Sequence, residues 1–297
     1  MPSAPITFDS GFLSRMERLE LVSRRLTRGS THGLRRSVRT GSSQEFADFR
    51  NYAPGDDLRA VDWNAYARLD RLFLKLFEEE TDLPVSLLID NSASMRWQSG
   101  DVSKLQFAAQ LAAALGYLAL SHLDRVGAWF FGSQLQRDTG FLRGKSSIHP
   151  LIAFLQNPPP PADATSLSKT IHEFVRRIRR RGLVVILSDF LDPAGYESAL
   201  RELAGNHFEV ALIQILDPAE IAPTLQGDWL LRDSETGQTE RIVASPTLLQ
   251  VYRDRVTSFG SELTAFGNRH RLPVHRFSCD ERFEDVLLRG LRGGLLK

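Results

Sequence analysis

The sequence has a single cysteine, no long apolar run and no excess of either charge. Cys279 has no partner for an internal disulfide, which favours a reducing compartment. No uninterrupted apolar segment reaches the ~18 residues that can cross a bilayer, and the N-terminus lacks the basic start and apolar run of a signal peptide. The 37 basic and 36 acidic residues produce no global field that would attract nucleic acid or an anionic membrane. These absences predict a cytoplasmic protein without membrane insertion.

The composition is that of an ordinary globular protein, because 42% of the 297 residues are hydrophobic and 25% are charged. From residue 83 onward, short apolar runs alternate with helix-length segments, which is typical of a doubly wound, mostly parallel α/β sheet flanked by helices. Strands are predicted at residues 83–90, 126–131, 183–189, 208–216 and 274–278, with a short ribbon at 134–137. Helices are predicted at residues 103–122, 147–156, 165–181, 192–205, 246–270 and 280–291.

Two regions depart from this alternation. Between about residues 218 and 244, two short strands surround the polar turn 233–237 (DSETG), which predicts an inserted β-hairpin. Residues 1–82 begin with a basic amphipathic helix over about 10–28 and continue into a segment rich in aromatic, Arg and Asp residues. We therefore predict a small N-terminal subdomain over residues 1–82 and an α/β domain over residues 83–297.

The sharpest chemical feature is the segment 90–95 (DNSASM), directly after the first predicted buried strand. Asp90, Ser92 and Ser94 place one carboxylate and two hydroxyls on one loop, at the edge where open α/β sheets bind ligands. The same pattern in isolation is common in turns, where such side chains bond their own backbone. Its position after a buried strand is therefore what favours a ligand site.

Two further oxygen donors are predicted at equivalent loop positions. Thr165 stands at the start of a predicted helix, and Asp189 stands at the end of the strand 183–189. Oxygen donors without His or Cys suit a hard divalent cation rather than zinc, so we predict magnesium, with manganese and calcium as alternatives. Two carboxylates only neutralise such an ion, which fits a site that a partner completes.

This set of five residues resembles the metal-ion-dependent adhesion site of von Willebrand factor A-type domains. In those domains, three loops and water form an octahedral shell, and one position stays open for an acidic side chain of a partner. The resemblance implies a von Willebrand factor A-like fold and a protein client bound through a carboxylate. The family's usual Gly-Gly before the Thr is Asp163-Ala164 here, so Thr165 is the least typical of the five ligands.

Residues 46–63 (FADFRNYAPGDDLRAVDW) are unlike an ordinary core segment, because a predicted Pro-Gly-Asp turn is flanked by residues suited to ion pairs and stacking. Together with the segments 67–68 (AR), 77–80 (FEEE), 217–220 (DPAE) and 233–237, they make the chain resemble the domain-of-unknown-function 58 family from about residue 10 to 290. The signature residues, which either contact a partner or brace the subdomain, are Arg50, Tyr52, Gly55, Asp56, Arg59, Asp62, Trp63 and Arg68.

The resemblance to that family also implies a partner. Its members are encoded beside MoxR-type AAA+ ATPases and are thought to act as adaptors or co-chaperones in the maturation of other proteins. We therefore expect a non-enzymatic, metal-dependent interaction protein that serves a MoxR-type ATPase and an unknown protein client.

Two other classes of function remain open. The arm from Arg15 to Arg39 carries eight arginines against Glu17 and Glu20, a pattern that fits nucleic acid or an acidic partner. A solvated helix face followed by a loop produces the same pattern, and nucleic acid is not the expected partner. A metal-dependent hydrolase would use the cation to activate water, but no His or Glu adjoins the five predicted ligands in sequence to act as a base.

Overall fold

The computed structural model describes residues 6–28, 45–53, 56–78, 84–162 and 165–292. Its contacts divide the chain into two units, one formed by Met1–Leu26 with Leu83–Lys297 and the other by Thr27–Asp82. The prediction placed residues 1–82 in one subdomain, whereas the first helix belongs to the larger unit. The reason is that Phe12, Met16 and Leu19 are buried in the core of the larger unit.

In the larger unit, the helices are α1 (Phe12–Arg28), α3 (Lys104–Ser121), α4 (Ile148–Gln156), α5 (Leu167–Arg177), α6 (Glu197–Gly205), α7 (Pro218–Ile221), α8 (Pro246–His270) and α9 (Phe283–Arg292). Its strands are β3 (Pro84–Asp90), β4 (Arg125–Phe131), β5 (Leu135–Arg143), β6 (Leu183–Ser188), β7 (Glu209–Leu216), β8 (Gly227–Arg232), β9 (Thr239–Ala244) and β10 (Val274–Ser278). The smaller unit contains β1 (Glu45–Asn51), α2 (Trp63–Leu69) and β2 (Phe73–Glu78).

The centre of the larger unit is a six-stranded sheet in the order β10-β7-β6-β3-β4-β5. Its strand pairs are parallel except for β4 with β5. Strands β3 and β6 are buried along their whole length, as expected for parallel strands that are covered on both faces. The predicted α/β architecture, with a mostly parallel sheet between helices, is confirmed.

Alternate residues of these strands enter two separate cores, because successive side chains of a strand point to opposite faces. Leu87 and Ile89 of β3 pack with the apolar side chains of α3, whereas Leu88 packs with those of α5 and α6. The chain therefore leaves β3 towards one face of the sheet and leaves β6 towards the other. The carboxyl ends of β3 and β6 thus form the topological switch point, where open α/β sheets bind ligands.

The predicted ribbon at 134–137 is longer in the structure, because β5 extends to Arg143 along β4. The helix predicted from residue 165 begins at Leu167, since Ser166 is extended and its hydroxyl accepts the Lys169 N–H at 3.5 Å. The helix predicted from residue 192 begins only at Glu197, because Gly195, with φ of 79°, ends a turn there. The inserted hairpin is confirmed as β8 and β9, while the short α7 was not predicted.

The smaller unit consists of the antiparallel strands β1 and β2 with α2 between them in sequence. Asp62 begins α2 by accepting the N–H groups of Asn64 and Ala65, at 2.9 and 3.1 Å. Across both units, the described residues contain no helix that is long and apolar enough to cross a membrane.

Candidate metal centre

The candidate site lies where β3 and β6 end. Ile89 lies opposite Leu187 in the parallel register, so the residues that follow, Asp90 and Ser188, are side by side. The Ser188 hydroxyl donates a hydrogen bond to Oδ2 of Asp90 at 2.6 Å. The sheet itself therefore fixes Asp90 beside the loop that carries Asp189.

The predicted ligands of the first loop form a continuous network with Asp189. Oδ1 of Asp90 accepts the Ser92 N–H at 2.8 Å, and the hydroxyls of Ser92 and Ser94 are 3.0 Å apart. The Ser94 hydroxyl then donates to Oδ2 of Asp189 at 2.7 Å. Asp90, Ser92 and Asp189 are at most 2% exposed. Four of the five predicted ligands are thus brought together, three of them buried and Ser94 half-buried.

The loop before Thr165 is held beside the first loop by the proline-rich connection. Ala162 donates its N–H to the Asn91 carbonyl at 3.2 Å and forms an isolated parallel bridge with Ser92. The Asn91 side chain donates to the carbonyls of Pro159 and Pro160, at 3.2 and 3.0 Å. Asp163 and Ala164, which replace the usual Gly-Gly, lie outside the described residues.

Thr165, the fifth predicted ligand, contacts a residue that sequence reasoning did not nominate. Its hydroxyl donates to Oε1 of Glu235 at 3.0 Å. Glu235 lies in the turn between β8 and β9. Burial raises the pKa of the Glu235 carboxyl, the Thr165 hydrogen bond opposes this, and the negative charge of Asp189 raises the pKa further. The tip of the inserted hairpin is therefore within electrostatic range of the candidate site.

Lys104, the first residue of α3, was also missed. Its side chain is completely buried, and its Nζ donates to Asp189 Oδ2 at 2.8 Å and to Glu220 Oε1 at 2.6 Å. Burial alone would lower the pKa of Lys104, but the carboxylates of Asp189 and Glu220 outweigh it and the pKa is raised. A lysine at the start of a helix opposes the helix dipole, and that signal in the sequence could have identified it.

The surroundings of Asp90 shift the pKa of its carboxyl group. Burial first, and the nearby charge of Asp189 second, raise its pKa to about 7. When all groups are ionised, the three carboxylates of Asp90, Asp189 and Glu220 and the one ammonium of Lys104 have a net charge of −2. Glu235 adds a further carboxylate nearby, so acidic groups outnumber the single ammonium and the electrostatics of the site favour a bound cation.

The donor chemistry also fits a hard cation, because the five residues offer carboxylate and hydroxyl oxygens. Within the described ranges, no group of three or more His, Cys, Asp or Glu side chains has the spacing of a metal site. A cation at this position would therefore depend on the hydroxyls of Ser92, Ser94 and Thr165 and on water. It would also compete with Lys104 and Ser94 for Oδ2 of Asp189.

The signature residues of the smaller unit make mainly local contacts. Arg50 donates to Oδ1 of Asp56 at 2.8 Å, and Oδ2 of Asp56 accepts the Ala53 N–H at 2.9 Å. Trp63 is 57% exposed and meets Tyr66 edge-on, with ring centroids 6.3 Å apart. The Tyr52 N–H donates to the Leu72 carbonyl, and Asp62 caps α2. Arg59 lies in a single 3-10 turn at Leu58–Ala60, and Arg68 lies in the last turn of α2. Gly55 lies outside the described residues.

A protein-family model described as "Protein of unknown function DUF58" matches residues 48–258 of this chain. An uncharacterised protein of Mycobacterium tuberculosis is 29% identical over 242 residues, which cover 81% of this chain and 76% of that protein. The range matched by the family model includes the site loops of the larger unit as well as the signature residues of the smaller one.

Two solved structures resemble the fold. The conserved hypothetical protein BatB from Bacteroides thetaiotaomicron is 14% identical, with a TM-score of 0.46, over 71% of this chain and 96% of that one. An aerotolerance-related membrane protein from Bacteroides fragilis is 16% identical, with a TM-score of 0.47, over 70% of this chain and 96% of that one. The predicted cytoplasmic location is contradicted by the description of the second as a membrane protein, and we withdraw that prediction.

Proposed function

The chain belongs to the DUF58 family of proteins of unknown function, and we propose that it is a non-enzymatic protein that binds a partner through a divalent cation. The observation that carries this proposal is the convergence of oxygen donors from two loops, at residues 90–94 and 188–189, at the switch point between β3 and β6. Asp90, Ser92, Ser94, Thr165 and Asp189 would hold the cation, and magnesium is the ion that we favour. The cation would supply an electrostatic anchor for a carboxylate of the partner.

The proposal includes a von Willebrand factor A-like fold for the larger unit. The strand order, the parallel central strands and the site at the switch point support it. Two buried carboxylates at the end of adjacent strands are costly without a counter-ion, and Lys104 alone balances only one charge. A divalent cation relieves this imbalance.

The first test is a thermal-shift titration with magnesium, manganese and calcium. A ligand that binds only the folded state raises the free energy of unfolding by about 2.7 kcal/mol at 100 times its Kd. We expect wild-type protein to be stabilised and Asp90→Asn to show no metal response. Asp228→Asn, which removes the same charge from an exposed position on β8, is the matched control and should respond like wild type.

An Asp90→Asn variant that responds to metal as wild type does would contradict the proposed site. Circular dichroism of the metal-free variants checks that the fold is retained. A second readout is binding of Mn²⁺ measured by electron paramagnetic resonance, which reports the ion directly rather than through stability.

We further propose that the partner that uses this site is a MoxR-type AAA+ ATPase or the protein client that the two share. The resemblance of the signature segment supports this choice. Surface plasmon resonance against the purified ATPase should show binding in Mg²⁺ that EDTA abolishes and that Asp90→Asn lacks. Binding that is equal in EDTA and in Mg²⁺ would contradict a role of the cation in this contact.

The alternative of nucleic-acid binding through the basic arm has no comparable support. Phe12 and Met16 of α1 are buried in the core, and Arg15 pairs with Asp9 and Glu284, at 2.8 and 2.6 Å. This part of the arm is thus engaged in the fold. A hydrolase would require a base, and the other carboxylates beside the site are already engaged, Glu220 by Lys104 and Glu235 by the Thr165 hydroxyl.

A further inference from the structure

We propose that Glu235 is a positioning residue of the metal centre. Its carboxylate accepts a hydrogen bond from the Thr165 hydroxyl and so leaves the lone pairs of the Thr165 oxygen directed to the cation. The inserted hairpin is then part of the centre rather than a peripheral addition. This inference rests on the proposed function, because it assigns a role towards the same cation.

The contact that carries the inference joins residues 70 positions apart in the chain, with Oγ1 of Thr165 3.0 Å from Oε1 of Glu235. A threonine hydroxyl has one proton to donate and two lone pairs that accept. A carboxylate has no proton to offer when it is ionised, so the hydroxyl must be the donor. With its proton held by Glu235, Thr165 presents only lone pairs elsewhere, and these are what a cation binds.

The turn is built to hold Glu235 in place. Oδ1 of Asp233 accepts the N–H of Glu235 at 2.9 Å, and the N–H and the hydroxyl of Thr236 at 2.6 and 2.9 Å. Gly237 completes the turn with φ of 70°, a conformation that favours glycine. The backbone of Glu235 is therefore fixed by the turn before its side chain meets Thr165.

Packing of an apolar face does not explain where the turn lies, because every residue of β8 is exposed. The bond between Glu235 and Thr165 instead ties the end of the hairpin to the site loops. The side chains of Asp189, Asp192 and Asp233 near Glu235 carry the same negative charge, so they do not attract it to this position.

Partners that orient a metal ligand typically contribute about 10–100-fold to metal affinity, and this sets the scale of the test. The probe is Mn²⁺ alone, with the Kd measured by electron paramagnetic resonance and the number of bound waters by water-proton relaxation. The variants are Glu235→Ala, Glu235→Gln, Thr165→Ala and the double variant of Thr165→Ala with Glu235→Ala. Glu240→Ala, which removes the same charge from an exposed position on β9, is the matched control.

We expect Glu235→Ala to weaken Mn²⁺ binding by about tenfold. Glu235→Gln should retain most of the affinity, because its amide oxygen still accepts the hydrogen bond from the Thr165 hydroxyl. The double variant should bind no more weakly than Thr165→Ala, since Glu235 acts only through Thr165. Thr165→Ala should gain one bound water, Glu235→Gln should gain none, and Glu240→Ala should match wild type.

Additive losses in the double variant, or an extra bound water in Glu235→Gln, would mean that Glu235 binds the cation itself and would overturn the positioning role. Wild-type affinity in Glu235→Ala would overturn it as well. In each of these cases the proposed function stands if wild type binds Mn²⁺ and Asp90→Asn does not. Failure of wild type to bind Mn²⁺ would overturn both proposals.

Discussion

At the scale of single residues, the site depends on how buried charges balance. Asp90 and Asp189 are buried within the same network, and Lys104 is the cation that the fold itself supplies to Asp189. Truncating one member of a buried ion pair leaves an uncompensated charge, whereas exposed pairs contribute little. The identity of each of these side chains therefore affects both stability and metal binding.

The raised pKa of Asp90 predicts a pH dependence of stability without metal. The raised pKa keeps Asp90 protonated in the folded state up to about pH 7, whereas the unfolded state releases the proton near 3.8, the ordinary pKa of an aspartate. The stabilisation is thus fully present below pH 3.8 and is lost as the pH rises through about 7. In EDTA, the free energy of unfolding of wild type should therefore fall relative to that of Asp90→Asn as the pH rises from 5 to 8.

Urea unfolding at several pH values measures this difference, and the subtraction removes the titration of all other groups. Magnesium should raise the free energy of unfolding of wild type more at pH 8 than at pH 5, because the cation binds the ionised carboxylate and competes with the proton. An equal difference between the two proteins at pH 5 and pH 8 would contradict the raised pKa.

At the scale of elements, the ends of β3 and β6 place Asp90 and Asp189, whereas contacts between loops support the segment that carries Thr165. Asp192, the first residue of the helix predicted at 192–205, accepts the Leu167 N–H at 2.7 Å and so supports the start of α5. The helix predicted from residue 192 begins only at Glu197, because Gly195 before it has a left-handed conformation. The loop that carries Thr165 is therefore supported from a neighbouring loop, which local patterns do not reveal.

The inserted hairpin should be dispensable for folding but not for metal binding. Replacing residues 228–243 by a short Gly-Ser linker removes exposed strands and deletes Glu235. We expect native circular dichroism, together with Mn²⁺ affinity reduced to that of Glu235→Ala. A linker that preserves wild-type Mn²⁺ affinity would show that the hairpin does not contribute to the site.

At the scale of the whole larger unit, the two ends of its chain pack together. Phe12 of α1 meets Phe283 of α9 with ring centroids 5.4 Å apart, and both side chains are buried. The unit is therefore assembled from segments on both sides of the smaller one in sequence. This arrangement makes α1 part of the core.

Phe12→Ala should destabilise the protein by about 3–5 kcal/mol, the usual cost of removing a buried phenylalanine. Leu230→Ala on β8, where the side chain is 65% exposed, is the control and should change stability little. Chemical denaturation monitored by circular dichroism gives both values. A Phe12→Ala variant with wild-type stability would indicate that α1 is a detachable arm, as the nucleic-acid hypothesis requires.

The sequence by itself determined the α/β class, most strand positions, the hairpin and the convergence of Asp90, Ser92, Ser94 and Asp189. These follow from local signals, because buried parallel strands read as continuous apolar runs and their carboxyl ends share one edge of the sheet. Only the tertiary structure decided that Lys104 is buried against Asp189, that Glu235 meets Thr165 and that α1 joins the core. Those contacts join residues far apart in the chain, and no local period or motif encodes which distant side chain fills a given buried position.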